Sequence, residues 1–335
     1  MAERPPDALV LAGRPRWGER LIETFIHASG WIVIGSVVLI FVFVGKEALP
    51  LLYSSEVHEE VTIPSMILPR PEGGFSWQPV STVPKYSLLP LLVGTLKVTI
   101  VALLIAIPVS IGAAIFTSEF APQAVREVIK PAVEILAGIP SVVIGFFALM
   151  VLASWLQDAF GFLMRLNAVT AGIGLALAVI PIVYTVAEDA LSAVPQAFRD
   201  GSTALGANRW QTAWRVVLPA AFPGVFAACV LGAGRAIGET MIVLMSSGNA
   251  ATMSLDPTQS FRSFSASIAA ELGEAPHGSP HYHVLFFLGA FLFVITFCLN
   301  LAGQKYVARL RARLSGKARA KPPTASPHIA TTAGS

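Results

Sequence analysis

Six apolar runs dominate this chain, near residues 25–44, 91–116, 132–156, 169–187, 223–246 and 284–303. About 20 apolar residues suffice to cross a bilayer as a helix. Hydrocarbon offers no partner for an exposed backbone N–H or C=O, so each run has to be helical. The expected fold class is therefore an all-α integral membrane protein with six transmembrane helices. Composition agrees, with 54% hydrophobic and 13% charged residues where soluble domains carry about 25% charged. No small-x-small cleavage site follows the first run, which reads as an uncleaved anchor.

Lysine and arginine set the expected orientation, because they are retained on the cytoplasmic side. With the N-terminus inside, sixteen fall in inner segments and five in outer ones: Lys46, Arg70, Lys85, Arg165 and Arg262. Both termini are thus expected in the cytoplasm. Residues 1–24 form a cytoplasmic N-terminal segment, 25–44 the first transmembrane helix and 45–90 a periplasmic connecting segment. That segment is proline-rich and reads as extended or irregular. A five-helix core follows over 91–303, with a cytoplasmic loop at 193–224 and a periplasmic loop at 247–283 that holds a short interfacial helix. Residues 304–335 read as a basic, disordered cytoplasmic tail, its lysines and arginines in contact with anionic membrane lipid. Nothing here suggests nucleic acid.

The 193–224 loop, "AVPQAFRDGSTALGANRWQTAWRVVLPAAFPG", is too polar to insert and is patterned as helix, turn, helix. Pro195 opens the first helix, Gly206 ends it in the left-handed conformation, and Asn208 caps a second helix running to Val217. Pro219 and Pro223 are expected to interrupt that helix.

A second unusual stretch is "GAGRAIGETMIVLM", 232–245. It nearly fits a phosphate-binding loop, but Glu239 stands where that loop needs lysine. A charge at the bilayer centre is expensive, and counted from Pro223 at about 1.5 Å per residue Arg235 falls near the midplane. Arg235 and Glu239 lie one turn apart and can pair. Gly232, Gly234 and Gly238 allow close helix contact. The pair is either a packing device or part of a path in which Arg235 meets an anion, with Glu239 and Thr240 beside it.

The loop resembles the E-A-A-x3-G-x9-I-x-L-P element of ATP-binding-cassette importers. Asp200, Gly201 and Ser202 take the E-A-A places, Gly206 the glycine, and Val216, Leu218 and Pro219 the end of the motif. With "GTLKVTIVALLIAIPVSIGAAIFTSEFAP", "VEILAGIPSVVIGFFAL", "LGAGRAIGETM" and "HVLFFLGAFLFVITF", the chain resembles PstC-type permeases of phosphate-specific importers over about 25–313. The resemblance implies a type I importer (MetI-like) permease fold and a bacterial inner-membrane location. It implies a PstA-like sister permease, two PstB-like ATPase subunits docked on the 193–224 loop, and a periplasmic phosphate-binding protein. ATP and Mg would be held by the partner ATPase, so no cofactor is expected in this chain and no catalytic residue is assigned. The alternatives are a permease of the same fold for molybdate, sulfate or phosphonate, and an ion-coupled secondary transporter using the Arg235–Glu239 pair.

Lesser features carry simpler expectations. "AIP", "GIP" and "VIP" place Pro108, Pro140 and Pro181 inside three successive spans. Cys229 and Cys298 are reduced packing residues, and no metal site is expected. His277, His281 and His283 form a solvated interfacial cluster. Lys97 snorkels to the headgroups, and Glu134 sits at the inner end of the third span.

Overall fold

A computed structural model of the chain describes residues 17–69 and 74–314. Arg4, Arg14, Arg16, Arg70 and the tail beyond 314 lie outside them. Among the described residues, six helices are long and apolar enough to cross a membrane. The first span, Trp17–Ala48, is longer than its apolar run. The second is Leu88–Ile115, extended by a π turn at Phe116–Phe120. The third is Ser141–Phe160, the fourth Ala168–Ser192, the fifth Arg209–Ile237 and the sixth Pro280–Leu314.

Small residues set the packing of the core. The second span meets the fourth through Val98, Ala102 and Ala106 against Ala168, Ala171, Leu175 and Val179. A Cβ on Gly172 would stand 2.4 Å from Val101 Cγ1, so glycine is what lets these two helices touch. The fifth span closes on the fourth at Gly224, whose Cβ would meet Ala190 Cβ at 2.4 Å, and on the sixth at Gly303, against Val230 at 2.5 Å. Between apolar helices in lipid, this close approach supplies the dispersion energy that the hydrophobic effect cannot. The first span lies outside the core, touching the sixth through edge-on aromatic pairs such as Phe41–Phe293 (4.1 Å between centroids).

Three expectations are corrected. The apolar run at 132–156 is not one span: the helix Gln123–Gly138 ends at Ile139, and a new helix starts after Pro140. Proline restricts the residue before it to extended backbone, and Ile139 takes φ −68°, ψ 124°. Pro140 therefore lies between helices, whereas Pro108 and Pro181 lie inside theirs. Glu134 belongs to the preceding amphipathic helix, which buries none of its own residues and is tied to the fourth span by Lys130 Nζ on Glu188 (2.8 Å). Hydrogen bonding to Glu188 holds the Lys130 ammonium above its ordinary pKa.

Second, Pro219 and Pro223 do not interrupt their helix. A π turn at Ala213–Val217 lets the Leu218 N–H reach Ala213 O, five residues back. This shift accommodates Pro219, and the helix runs on through Pro223 to Ile237. Third, the described part of the 45–90 segment is folded. Short helices at Pro50–Tyr53, Ser55–Glu60 and Ile63–Ile67 precede β1 (Trp77–Gln78) and β2 (Lys85–Tyr86). The strands pair antiparallel, Trp77 opposite Tyr86. Leu51, Met66, Trp77, Tyr86, Phe264 and Leu288 form a second apolar core at this end of the bundle, the far end from the 193–224 loop. Burial there pushes the Tyr86 phenol up to about 12.

Gly94 holds the far-end cap to the second span: a Cβ there would lie 2.1 Å from Arg262 O. Gly94→Ala is expected to lower stability by about 1–3 kcal/mol, as forced overpacking does. Gly112→Ala, with nothing near its Cβ, is the matched control, and thermal unfolding of the detergent-purified protein reads both.

Candidate functional site

The fifth span ends at Ile237, one residue before Gly238, and the chain turns through Glu239 and Thr240 before a short helix resumes at Met241–Ser246. The apolar run at 223–246 is thus broken in its second half, contrary to a single continuous span. Arg235 sits in the last turn, where unpaired carbonyls favour a cation. Its Nη1 donates to Glu239 Oε2, so the pair forms across the helix end rather than along one helix face. The two partners differ sharply: the Glu239 side chain is 3% exposed and that of Arg235 40%. A buried carboxylate is costly without a cation. The Arg235 side chain stays partly exposed, with Glu239 as its buried counter-charge.

The break is held from outside. Ser265 Oγ donates to the Glu239 carbonyl at 2.7 Å. Ser265 lies on the helix Phe264–Glu271, the segment expected at the interface, yet Phe264, Ser265, Ala266 and Ser267 are buried. Of the three glycines, Gly232 is pressed against the fourth span, with Val183 Cγ2 2.5 Å from a hypothetical Cβ. Gly234 faces Asn300 Oδ1 of the sixth span at 3.3 Å. Gly238 meets nothing nearer than its own helix's Gly234 O at 3.6 Å, so it serves the turn rather than a neighbouring helix. Thr240 Oγ1 approaches Gly238 O at 3.4 Å.

The second feature is the helical hairpin at the opposite end. Its first helix, Gln196–Ala204, carries Asp200, Gly201 and Ser202. Gly206 follows at φ 82°, with open space around a hypothetical Cβ, so it is the backbone angle and not crowding that calls for glycine. Asn208 Oδ1 accepts from Gln211 N (2.8 Å) while Gln211 Oε1 accepts from Asn208 N (3.0 Å), a reciprocal cap. Ser202 Oγ meets Thr212 Oγ1 at 3.0 Å and joins the two helices, a bond that alanine could not make. Val216, Leu218 and Pro219 lie where the second helix becomes the fifth span. Phe198, Leu205 and Trp210 are exposed at the surface of the hairpin.

Several functional-looking residues sit differently from expectation. Lys97 does not snorkel. Its Nζ donates to the carbonyls of Ser254 (3.1 Å) and Asp256 (3.0 Å) and lies over the Phe261 ring. The Thr258 N–H and hydroxyl in turn hold the Asp256 carboxyl below its usual pKa. His281 is not solvated: it stacks on Tyr86 (5.8 Å), with Nε2 3.4 Å from Glu271. Glu271, which sequence reasoning missed, also accepts from Trp77 Nε1 (3.0 Å) and Arg262. Also missed was Glu119, whose carboxylate receives the Arg199 guanidinium on both oxygens (2.7 and 3.1 Å). Its acidic residue inside "FTSEFAP" was the available signal, but no spacing rule connects positions 80 residues apart. Among the described residues, no three His, Cys, Asp or Glu side chains gather to hold a metal ion.

The chain is similar to known proteins. Residues 106–313 match the family of binding-protein-dependent transport system inner membrane components. A probable ABC transporter permease protein, YqgH of Bacillus subtilis, is 34% identical over 276 residues, covering 82% of this chain and 86% of that relative. The phosphate transport system permease protein PstC of Mesorhizobium japonicum is 35% identical, covering 71% and 78%. PstC of Pasteurella multocida is 35% identical over 71% and 79%. In fold, the chain is similar to an inward-facing MetNI methionine ABC transporter (TM-score 0.51, 17% identity, 67% of this chain and 94% of that one). It is also similar to a bacterial alginate ABC transporter (TM-score 0.56, 14% identity, 90% and 99%).

Because Gly206 is required by angle, Gly206→Asn, which tolerates φ > 0, is expected to leave the hairpin resistant to limited proteolysis. Gly206→Val is expected to open it, read as new cleavage within 193–224 of the purified protein.

Proposed function

We propose that this chain, which belongs to the family of binding-protein-dependent transport system inner membrane components, is the permease subunit of an ATP-driven importer of inorganic phosphate. The observation that carries the reading is the Arg235–Glu239 pair. A guanidinium open on one side is backed by a buried carboxylate at a helix end, which suits brief contact with an oxyanion. The open side offers donors in the fork geometry that phosphate accepts. The buried counter-charge keeps the site near neutral when empty and weakens retention, as passage requires. The names of the PstC relatives support phosphate over other oxyanions.

In this reading the 193–224 hairpin lies in the cytoplasm and docks on a separate ATPase through its exposed Phe198, Leu205 and Trp210. Both termini are cytoplasmic, the cap of 45–90 and 247–283 is periplasmic, and a binding protein delivers phosphate to it. A PstA-like sister permease completes the path, and PstB-like subunits hold ATP and Mg. The chain itself hydrolyses nothing. Motion enters directly: the second hairpin helix and the fifth span are one helix, Arg209–Ile237, of 29 residues. At 1.5 Å per residue it reaches about 40 Å from the loop to Arg235.

Arg235→Gln, assembled with its partners in proteoliposomes, is expected to lose phosphate uptake about tenfold or more, the worth of one charged hydrogen bond. Undiminished uptake returns Arg235 to packing. Competing molybdate, sulfate and phosphonate in the same assay test the substrate, since any of them displacing phosphate at equal concentration shifts the assignment to that oxyanion.

A further inference from the structure

Arg199 lies on the first hairpin helix and Glu119 at the end of the second span, and together they join distant parts of the chain. Glu119 sits at the loop end of the second span, in the π turn closed by Ala121 N on Phe116 O (2.8 Å). Its side chain is 8% exposed and that of Arg199 17%. The guanidinium reaches both carboxylate oxygens, and Ser118 Oγ adds a third bond to Oε1 at 2.9 Å. The same guanidinium donates to Leu191 O (3.0 Å) and Val194 O (2.6 Å), at the end of the fourth span. One side chain thus fastens the first hairpin helix to two spans at once. A two-pronged planar contact resists rotation as well as separation, which a single ammonium does not.

The second span packs along the fourth, with Ser110 Oγ on Ile180 O at 3.1 Å. At its far end it carries Gly94, Thr95 and Lys97, the residues that hold the 247–263 loop. Thr95 Oγ1 accepts from Phe264 N at 3.2 Å. The neighbouring Ser265 grips the Glu239 carbonyl. A contiguous path therefore runs from the hairpin through the second span and back to the helix break that holds Arg235.

We propose that the Arg199–Glu119 pair is the joint through which movement of the hairpin reaches the second span and, through it, the Glu239 break, making both residues positioning residues for coupling. This rests on the reading of 193–224 as the ATPase-docking loop. The fifth span moves Arg235 along its own axis, while the second span moves the clamp around it. Both routes have to advance together for the site to change shape rather than merely shift.

The test uses the complete transporter in proteoliposomes, normalised to assembled complex, and reads phosphate imported per ATP hydrolysed. Lack of ATP-driven uptake by the wild-type complex defeats the docking reading itself. With that established, Glu119→Gln and Arg199→Gln are each expected to lower the ratio at least about fivefold, the low end of coupling between sites. The double variant is expected to fall no further than the worse single. Singles with the wild-type ratio, or a double that falls by the product of the two, overturn the proposal. Should these variants fail to assemble, spin labels decide with the pair intact, in a background lacking Cys229 and Cys298. The distance between Thr203 and Gln123 is expected to stay constant on adding a non-hydrolysable ATP analogue, while that from Thr203 to Leu163 changes. A changing first distance or a constant second one overturns it.

Discussion

A carboxylate inside a membrane protein has to find a cation, and among the described residues this fold is organised around four that do. Glu119, Glu188, Glu239 and Glu271 are all largely buried, and they pair with Arg199, Lys130, Arg235 and Arg262. Each pair adds a fixed point beside the apolar packing. One fastens the hairpin to the second span, one the amphipathic helix 123–138 to the fourth, one the two sides of the fifth-span break, and one the far-end cap to itself. Removing one partner of such a pair leaves an uncompensated charge at a cost of several kcal/mol. The dispersion contacts of Gly172, Gly224, Gly232 and Gly303 bring helices together, whereas the ion pairs hold the segments that leave the bundle.

The backbone irregularities follow a related rule. Three π turns, at Phe116–Phe120, Ala148–Leu152 and Ala213–Val217, add a residue to a helical turn without exposing unpaired N–H groups. Two of them stand at useful places: the first presents Glu119, and the third carries the hairpin into the fifth span. π turns of this kind concentrate at functional positions. The break at Gly238–Thr240 is of another kind, since it leaves the Glu239 carbonyl to be satisfied by Ser265. Irregular backbone at membrane depth persists only where the surrounding protein supplies such partners.

Much of this was legible in the sequence wherever the signal is local. Apolar length locates the spans, and Pro195, Gly206 and Asn208 set out the hairpin because each residue's own backbone preference dictates its place. What escapes the sequence has several physical causes. Run length could not separate helix 123–138 from the third span, because apolarity continues across Ile139–Pro140 while the helix does not. Pro219 looked like a stop because the compensating π turn has no compositional mark. The settings of Lys97, His281 and the 45–90 cap escape local signals, since their partners Ser254, Glu271 and Phe264 lie far along the chain. Gly238 was grouped with two packing glycines by spacing alone, though its surroundings are open.

The unbroken helix from Arg209 to Ile237 fixes phase as well as length. An α-helix advances about 100° per residue, so the face on which Arg235 emerges is set by the count of residues between it and the hairpin, not by their identity. One inserted residue would turn the guanidinium about a quarter of the way round the axis relative to the hairpin, while every side chain in between stayed chemically acceptable. The segment should accordingly accept substitutions of matched size and reject any change of length, like a gear train in which teeth may be recut but never added.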